Sequence, residues 1–278
     1  MSEADGSRLF EAATDREAVE RAIAAAAPTP VERADLAMVQ TLDPALRDPM
    51  FALLGSLADN KYVLGRRYAE WCTGAPMLES AVAAAAMAQD ELGHARSFYP
   101  LLRGFPRGRD TVQMEDRGWQ QRATSAMTCL DTRFRTWTDF VAANLLVDTA
   151  LTTLLAAAVE SAYEPLRQRA RKIQQEERGH WVHATGWTRR LRSSNPPLVS
   201  ALETFWDDAF AWFGRSDDPV LGPLAAAGVL AQTPDGLRAA LRDRLGPVLD
   251  EVGLGAPLTT RPAPWHRWDA HARRLRPE

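Results

Sequence analysis

The stretch Gln89-Asp90-Glu91-Leu92-Gly93-His94 decides the fold of this chain. It lies in a long, mostly apolar run, Ala81 to Tyr99, that reads as a buried helix. Residues three apart on a helix share a face, so Glu91 and His94 project together. A carboxylate beside an imidazole suits iron, manganese or zinc. The pattern returns as Glu176-Glu177-Arg178-Gly179-His180. Two helices carrying Glu-x-x-His, joined by two helices that each add one carboxylate, build the metal pair of carboxylate four-helix bundles. Such a site needs two further acids.

Hairpin geometry restricts where those acids can be. In an antiparallel helix pair, residues at one height are equidistant from the turn. Each residue climbs about 1.5 Å, so an imbalance of five displaces a ligand by about 7 Å. The turn Cys72-Thr73-Gly74-Ala75-Pro76 centres near residue 74. Asp59 pairs with Glu91 about a midpoint of 75, whereas Glu70 gives 80.5 and fails. For Glu177, Asp148 gives a midpoint of 162.5, beside the break at Glu164-Pro165; Glu160 and Asp139 fail. Asp148 lies in Leu145-Leu146-Val147-Asp148-Thr149-Ala150-Leu151, a segment apolar on all sides. A buried charge costs several kcal/mol unless it is paired or bound to a metal. The other reading of Asp148 is a partner for a buried Arg, and of Asp59 a plain polar face. Asp90 and Glu176 each precede a motif Glu. Turned about 100° from the ligand face, each could accept the free ring N–H of a ligand His on the other helix. Solvated surface acids are the alternative.

The candidate metal set is therefore Asp59, Glu91, His94, Asp148, Glu177 and His180, supported by Asp90 and Glu176. His183, one turn past His180, reads as packing or support.

The rest of the chain arranges itself around these helices. Residues 1–48 read as an N-terminal arm of two short helices, the first capped by Asp15 and ending before Pro28, the second spanning Thr29 to Pro49. Residues 49–195 read as the bundle: helices from Asp48-Pro49 to about Trp71, Pro76 to about Tyr99, Thr136 to Tyr163 and Leu166 to Leu191. Pro at a first helical position and Gly after a last one supply the punctuation. The connection from Leu101 to about Arg135 is long and contains a helix near Arg117 to Cys129. One long crossover between helices 2 and 3 marks the ferritin-like four-helix bundle. Residues 196–278 read as additional C-terminal helices, ending in a Trp- and His-rich tail that includes His266 and His271. The expected class is all-α.

Composition removes several function classes. The 278 residues are 46% apolar and 25% charged, with net charge −3. Nothing in that balance points to nucleic acid or an anionic membrane. Lys61 and Lys172 are the only lysines among 33 basic residues. Two cysteines, Cys72 and Cys129, make no disulfide framework and no cluster ligand set, as expected in a reducing cytoplasm. No uncharged run is long enough for a membrane span.

On these residues the sequence resembles the phenylacetyl-CoA epoxidase family, whose catalytic and structural subunits share a ferritin-like bundle. The likeness covers roughly Phe51 to Trp187. Gln89-Asp90-Glu91-Leu92-Gly93-His94, Leu146-Val147-Asp148 and Lys172-Ile173 with Glu176-Glu177-x-x-His180 resemble the catalytic subunit. Leu64-Gly65-Arg66-Arg67, Glu70-Trp71-Cys72, Ala75-Pro76 and Leu78-Glu79 resemble the structural subunit, which lacks the metal site. The resemblance implies that Asp148 is a ligand. It also implies a Glu on the first helix. A gapless alignment back from Trp71 and Ala75-Pro76 places Lys61 or Tyr62 there, with Asp59 one turn earlier.

The implied activity is that of a di-iron monooxygenase: two iron ions, manganese being the lesser alternative, activate O₂ to epoxidise or hydroxylate an aromatic or unsaturated acyl-CoA-type substrate. Electrons would come from a separate flavin/iron–sulfur reductase. Partners would be a second copy or a related bundle subunit, with neither nucleic acid nor membrane. Arg96, Arg103, Arg107 and Arg109, at or past the end of the second helix, could meet coenzyme A phosphates. Two other readings stand beside this one: a non-catalytic scaffold subunit with a vestigial site, and a stand-alone di-iron oxidase or oxygenase of secondary metabolism.

Overall fold

The computed structural model describes residues 30–105, 125–192 and 195–277. The helix expected after Asp15, most of the crossover helix, and Arg107 and Arg109 lie outside them. A short helix, α1 (Pro30–Thr41), leads into four long ones: α2 (Pro44–Ala69), α3 (Leu78–Leu102), α4 (Trp137–Ala157) and α5 (Glu164–Leu191). The segment linking α3 to α4 is the expected long crossover.

Helix ends follow local chemistry. The start of α2, expected at Asp48-Pro49, lies instead at Asp43-Pro44. There the Asp43 carboxylate accepts a hydrogen bond from the Ala45 amide at 2.9 Å, and Pro44 takes the first helical position. Pro100 does not stop α3, since in the last turn it removes a single N–H. Thr136 and Asp139 form a capping box at the start of α4. From Asn144 to Asp148 α4 widens into one π-helical turn, a local form common at functional sites.

Burial explains the stripes. The only helix among the described residues long and apolar enough to cross a membrane is Trp137–Ala157, and 94% of its most apolar window is buried inside the bundle. On α5 the buried stripe reads Ala170, Ile173, Glu177, His180, Ala184, Thr188. A Glu and a His thus occupy core positions on the helical period. Gly65 lets α2 and α3 close together at this level: a Cβ there would lie 2.9 Å from Glu91 Cβ.

The C-terminal part packs on the bundle through α6 (Asn195–Ala211), α7 (Leu221–Ala226), α8 (Pro234–Glu251) and α9 (Gly255–Thr259). One continuous apolar core runs from Val39 to Leu258. Trp206 and Trp212 are part of it. The tail expected to be helical is instead a minimal hairpin, β1 (Trp268–Asp269) against antiparallel β2 (Arg274–Leu275). Asp269 Oδ1 accepts from the His271 and Ala272 amides and so folds the chain back. Arg273, at φ 55°, is buried and donates to Asp218 and to the Trp212 carbonyl.

Candidate metal centre

The wide turn of α4 and the buried stripe of α5 deliver Asp148, Glu177 and His180 to one point inside the bundle, and α3 adds Glu91 and His94. All five are at most 4% exposed. Glu91, Asp148, Glu177 and His180 each offer a ligand atom, and these atoms lie within 4.8 Å of one another. A buried Glu/Asp/His cluster of this kind could hold a metal.

The cation at its centre is a side chain. Lys61, fully buried on α2, donates to Glu177 Oε1 at 2.5 Å, Glu91 Oε1 at 2.8 Å and Asp148 Oδ1 at 3.1 Å. An ammonium has three donors and no acceptor, and here all three find carboxylates. Burial alone would drive the Lys61 pKa down. Attraction to Asp148, Glu177 and Glu91 overcomes this and holds it well above the usual lysine value. Lys61 is therefore charged.

The surrounding groups respond to that charge. Burial pushes Glu177 up, but Lys61, His180 and His94 pull it well below the usual carboxylate range. Glu91 ends at about 7, raised by burial against the pull of Lys61. His180 resists its burial because Asp148 and Glu177 hold its proton, and it is pushed up to about 12. Its Nδ1 lies 2.8 Å from Asp148 Oδ2, and its Nε2 lies 3.3 Å from Asp90 Oδ2. His94 Nε2 lies 2.8 Å from Glu176 Oε2. Each acid preceding a motif Glu therefore meets the motif His of the other hairpin. Tyr68 and Asn144 donate to Asp148 Oδ2 at 3.4 and 3.3 Å. Asn144 Oδ1 also lies 2.9 Å from His183 Nδ1, and burial lowers the His183 pKa to about 4.

Asp59 is not part of the cluster. Its Oδ1 accepts from the Tyr99 hydroxyl at 2.9 Å and its Oδ2 from the Ser125 amide at 2.8 Å. Its height along α2 is as expected, but its azimuth is wrong for the site. Two helical steps turn Asp59 by about 200° from Lys61, so it faces the crossover, which Asn60 also holds through the Met127 amide. Lys61 pairs with Glu91 about a midpoint of 76, only one residue farther from the turn centre than Asp59's 75. Spacing between acids does not register a lysine, although a lysine deep in an apolar helix is itself a signal. Arg96 and Arg103 are exposed and line neither of the two larger cavities.

The donor set therefore does not fit a pair of iron ions as it is arranged. Three carboxylates converge where four are needed, and an ammonium occupies the space between them.

The family model described as "Phenylacetic acid catabolic protein" matches residues 37–276. The chain belongs to this family. Over 207 residues it is 27% identical to one of the subunits of 1,2-phenylacetyl-CoA epoxidase of Escherichia coli (strain K12), covering 72% of this chain and 81% of that protein. The helical architecture described above is the ferritin-like fold of this phenylacetic acid catabolic family.

Proposed function

We propose that this chain is a non-catalytic, structural subunit of a phenylacetyl-CoA epoxidase-type assembly, with Lys61 in the place of the metal pair. One observation carries the reading: a fully buried ammonium donates to Glu91, Asp148 and Glu177 together. A metal-free carboxylate cluster would repel itself in a low-dielectric core. Lys61, together with the protonated His180, offsets much of that charge without a metal, which preserves the bundle without redox chemistry. The likeness to an epoxidase subunit supports a hetero-oligomer in which a related bundle subunit carries iron, binds the acyl-CoA-type substrate and receives electrons from a reductase. A cytoplasmic location goes with this reading.

The monooxygenase reading keeps one specific support. Glu91 Oε2 and His94 Nδ1 are buried without a hydrogen-bond partner, as ligand atoms awaiting a metal would be. It requires Lys61 to leave the cluster. Anaerobic ferrous loading followed by metal analysis decides between them. The scaffold reading expects well under one iron per chain. Two irons per chain, with the Mössbauer spectrum of a coupled pair, would overturn it.

A further inference from the structure

A cavity of about 510 Å³ lies between α4, α5 and α8, beside the buried cluster. A narrower space that reaches Asp148 and His180 shares Thr152, Trp181 and Arg244 with it and is too small for a water molecule. Glu177 is the common wall. One of its oxygens faces Lys61 and the other lies 3.2 Å from the Thr152 hydroxyl. The cleft opens to solvent, where Val182 is exposed, and its volume is in the range that holds small molecules.

Its lining has two characters. Val159, Val182 and the Trp181 ring supply apolar surface. Arg244, on α8, lies over the Trp181 ring with its guanidinium carbon 4.7 Å from the centroid. This contact holds the guanidinium at the wall but satisfies none of its N–H groups. Among the described residues Arg244 has no hydrogen-bond acceptor, although it is partly buried. Arg178 stands on the same wall, exposed and also without an acceptor among them. The third arginine, Arg171, is already held by Glu160 and the Val159 carbonyl. Gln174 is held by the Thr152 carbonyl.

We propose that this cavity binds a small carboxylate with an apolar body. A guanidinium presents a planar fork of donors that matches a carboxylate in two parallel hydrogen bonds. Arg244 offers that fork at the cavity wall, held there by Trp181. The apolar part of the ligand lies on Val159, Val182 and the indole. Phosphate is disfavoured because it has no apolar body to lie on these residues, and as a dianion it meets more repulsion from the buried carboxylate Glu177 than a monoanion does.

Isothermal titration of the full chain with benzoate, with hexanoate and with inorganic phosphate, in chloride at pH 8, where phosphate is mainly a dianion, tests it. At least one carboxylate binds with a Kd near or below about 1 mM, and phosphate binds at least tenfold more weakly. Arg244→Gln weakens the carboxylate at least about tenfold, the loss of one charge-assisted anchor. Val159→Trp, which fills the cavity without touching a charge, abolishes binding and serves if Arg244→Gln fails to fold. No binding of either carboxylate, equal binding of phosphate, or wild-type affinity in a folded Arg244→Gln or Val159→Trp chain would each overturn the proposal.

Discussion

Lys61 Nζ lies 2.5 Å from Glu177 Oε1, a contact made across the bundle between α2 and α5 with both side chains at most 2% exposed. A pair this deep has already lost its hydration, so its partners depend on each other. Removing one partner of a buried ion pair costs about 3–5 kcal/mol, because the remaining charge has no compensation. Lys61→Met should lose stability of that order at pH 7, measured by urea unfolding. Without the ammonium, Glu91 and Glu177 lose the attraction that lowers their pKa values, and burial raises them. The folded state would bind protons more readily, so the deficit should shrink as the pH falls toward 4. A deficit unchanged between pH 7 and pH 4.5 would contradict the charge argument.

Lys61→Glu converts the ammonium into the fourth carboxylate. Without metal the variant should melt well below the wild type, since four acids then share one buried site. With Mn²⁺ at about a hundred times its Kd, binding returns about 2.7 kcal/mol, which for a chain of this size raises Tm by about 5 °C or more. The wild type should show no such rise in differential scanning fluorimetry. Equal responses from both chains would count against Lys61 as the occupant of the site.

Gly65 sets the distance between α2 and α3 at the level of Glu91. A methyl group there would meet Glu91 Cβ at 2.9 Å and Leu92 Cγ at 3.0 Å. Both neighbours are anchored, one by Lys61 and one by its own helix. Gly65→Ala should therefore destabilise the fold by about 1–3 kcal/mol, the usual cost of overpacking, despite the better helix propensity of Ala. Thermal unfolding checks the sign.

Asp208 gives the pH dependence of the C-terminal part. Burial raises its pKa from 3.8 to about 6, against the pull of the Thr128 and Cys129 amides. The folded state therefore holds the proton more tightly than the unfolded chain. Stability contributed by the neutral form is complete below about pH 4 and is lost as pH rises through about 6. Asp208→Asn keeps an acceptor for the Thr128 amide and removes the charge. It should flatten that slope and be more stable than wild type at pH 8 by about 3 kcal/mol, read from urea midpoints across pH 4 to 8.

Much of this arrangement is legible in sequence because it is periodic. Glu91 with His94 and Glu177 with His180 fall on the helical repeat, and the distances from the two turns set the heights of their partners. Asp148 is legible on the same grounds, since a lone acid in an otherwise apolar segment must be paired or hold a metal. Caps such as Asp43 with Pro44 are local too, although a second Asp-Pro at 48–49 hid the true start of α2.

What the sequence by itself determined is the all-α bundle, its two Glu-x-x-His hairpins and the level at which they meet, because each depends on spacing along one helix or across one turn. What only the tertiary structure decided is which side chain of α2 faces the centre. Asp59 and Lys61 are two residues apart and almost equally distant from the turn, so height cannot separate them. The rotation of α2 does. It is fixed by the approach of Gly65 to Glu91 and by the hold of Asp59 and Asn60 on Ser125 and Met127 of the crossover. The crossover contacts join residues more than sixty positions apart, and no local pattern encodes them.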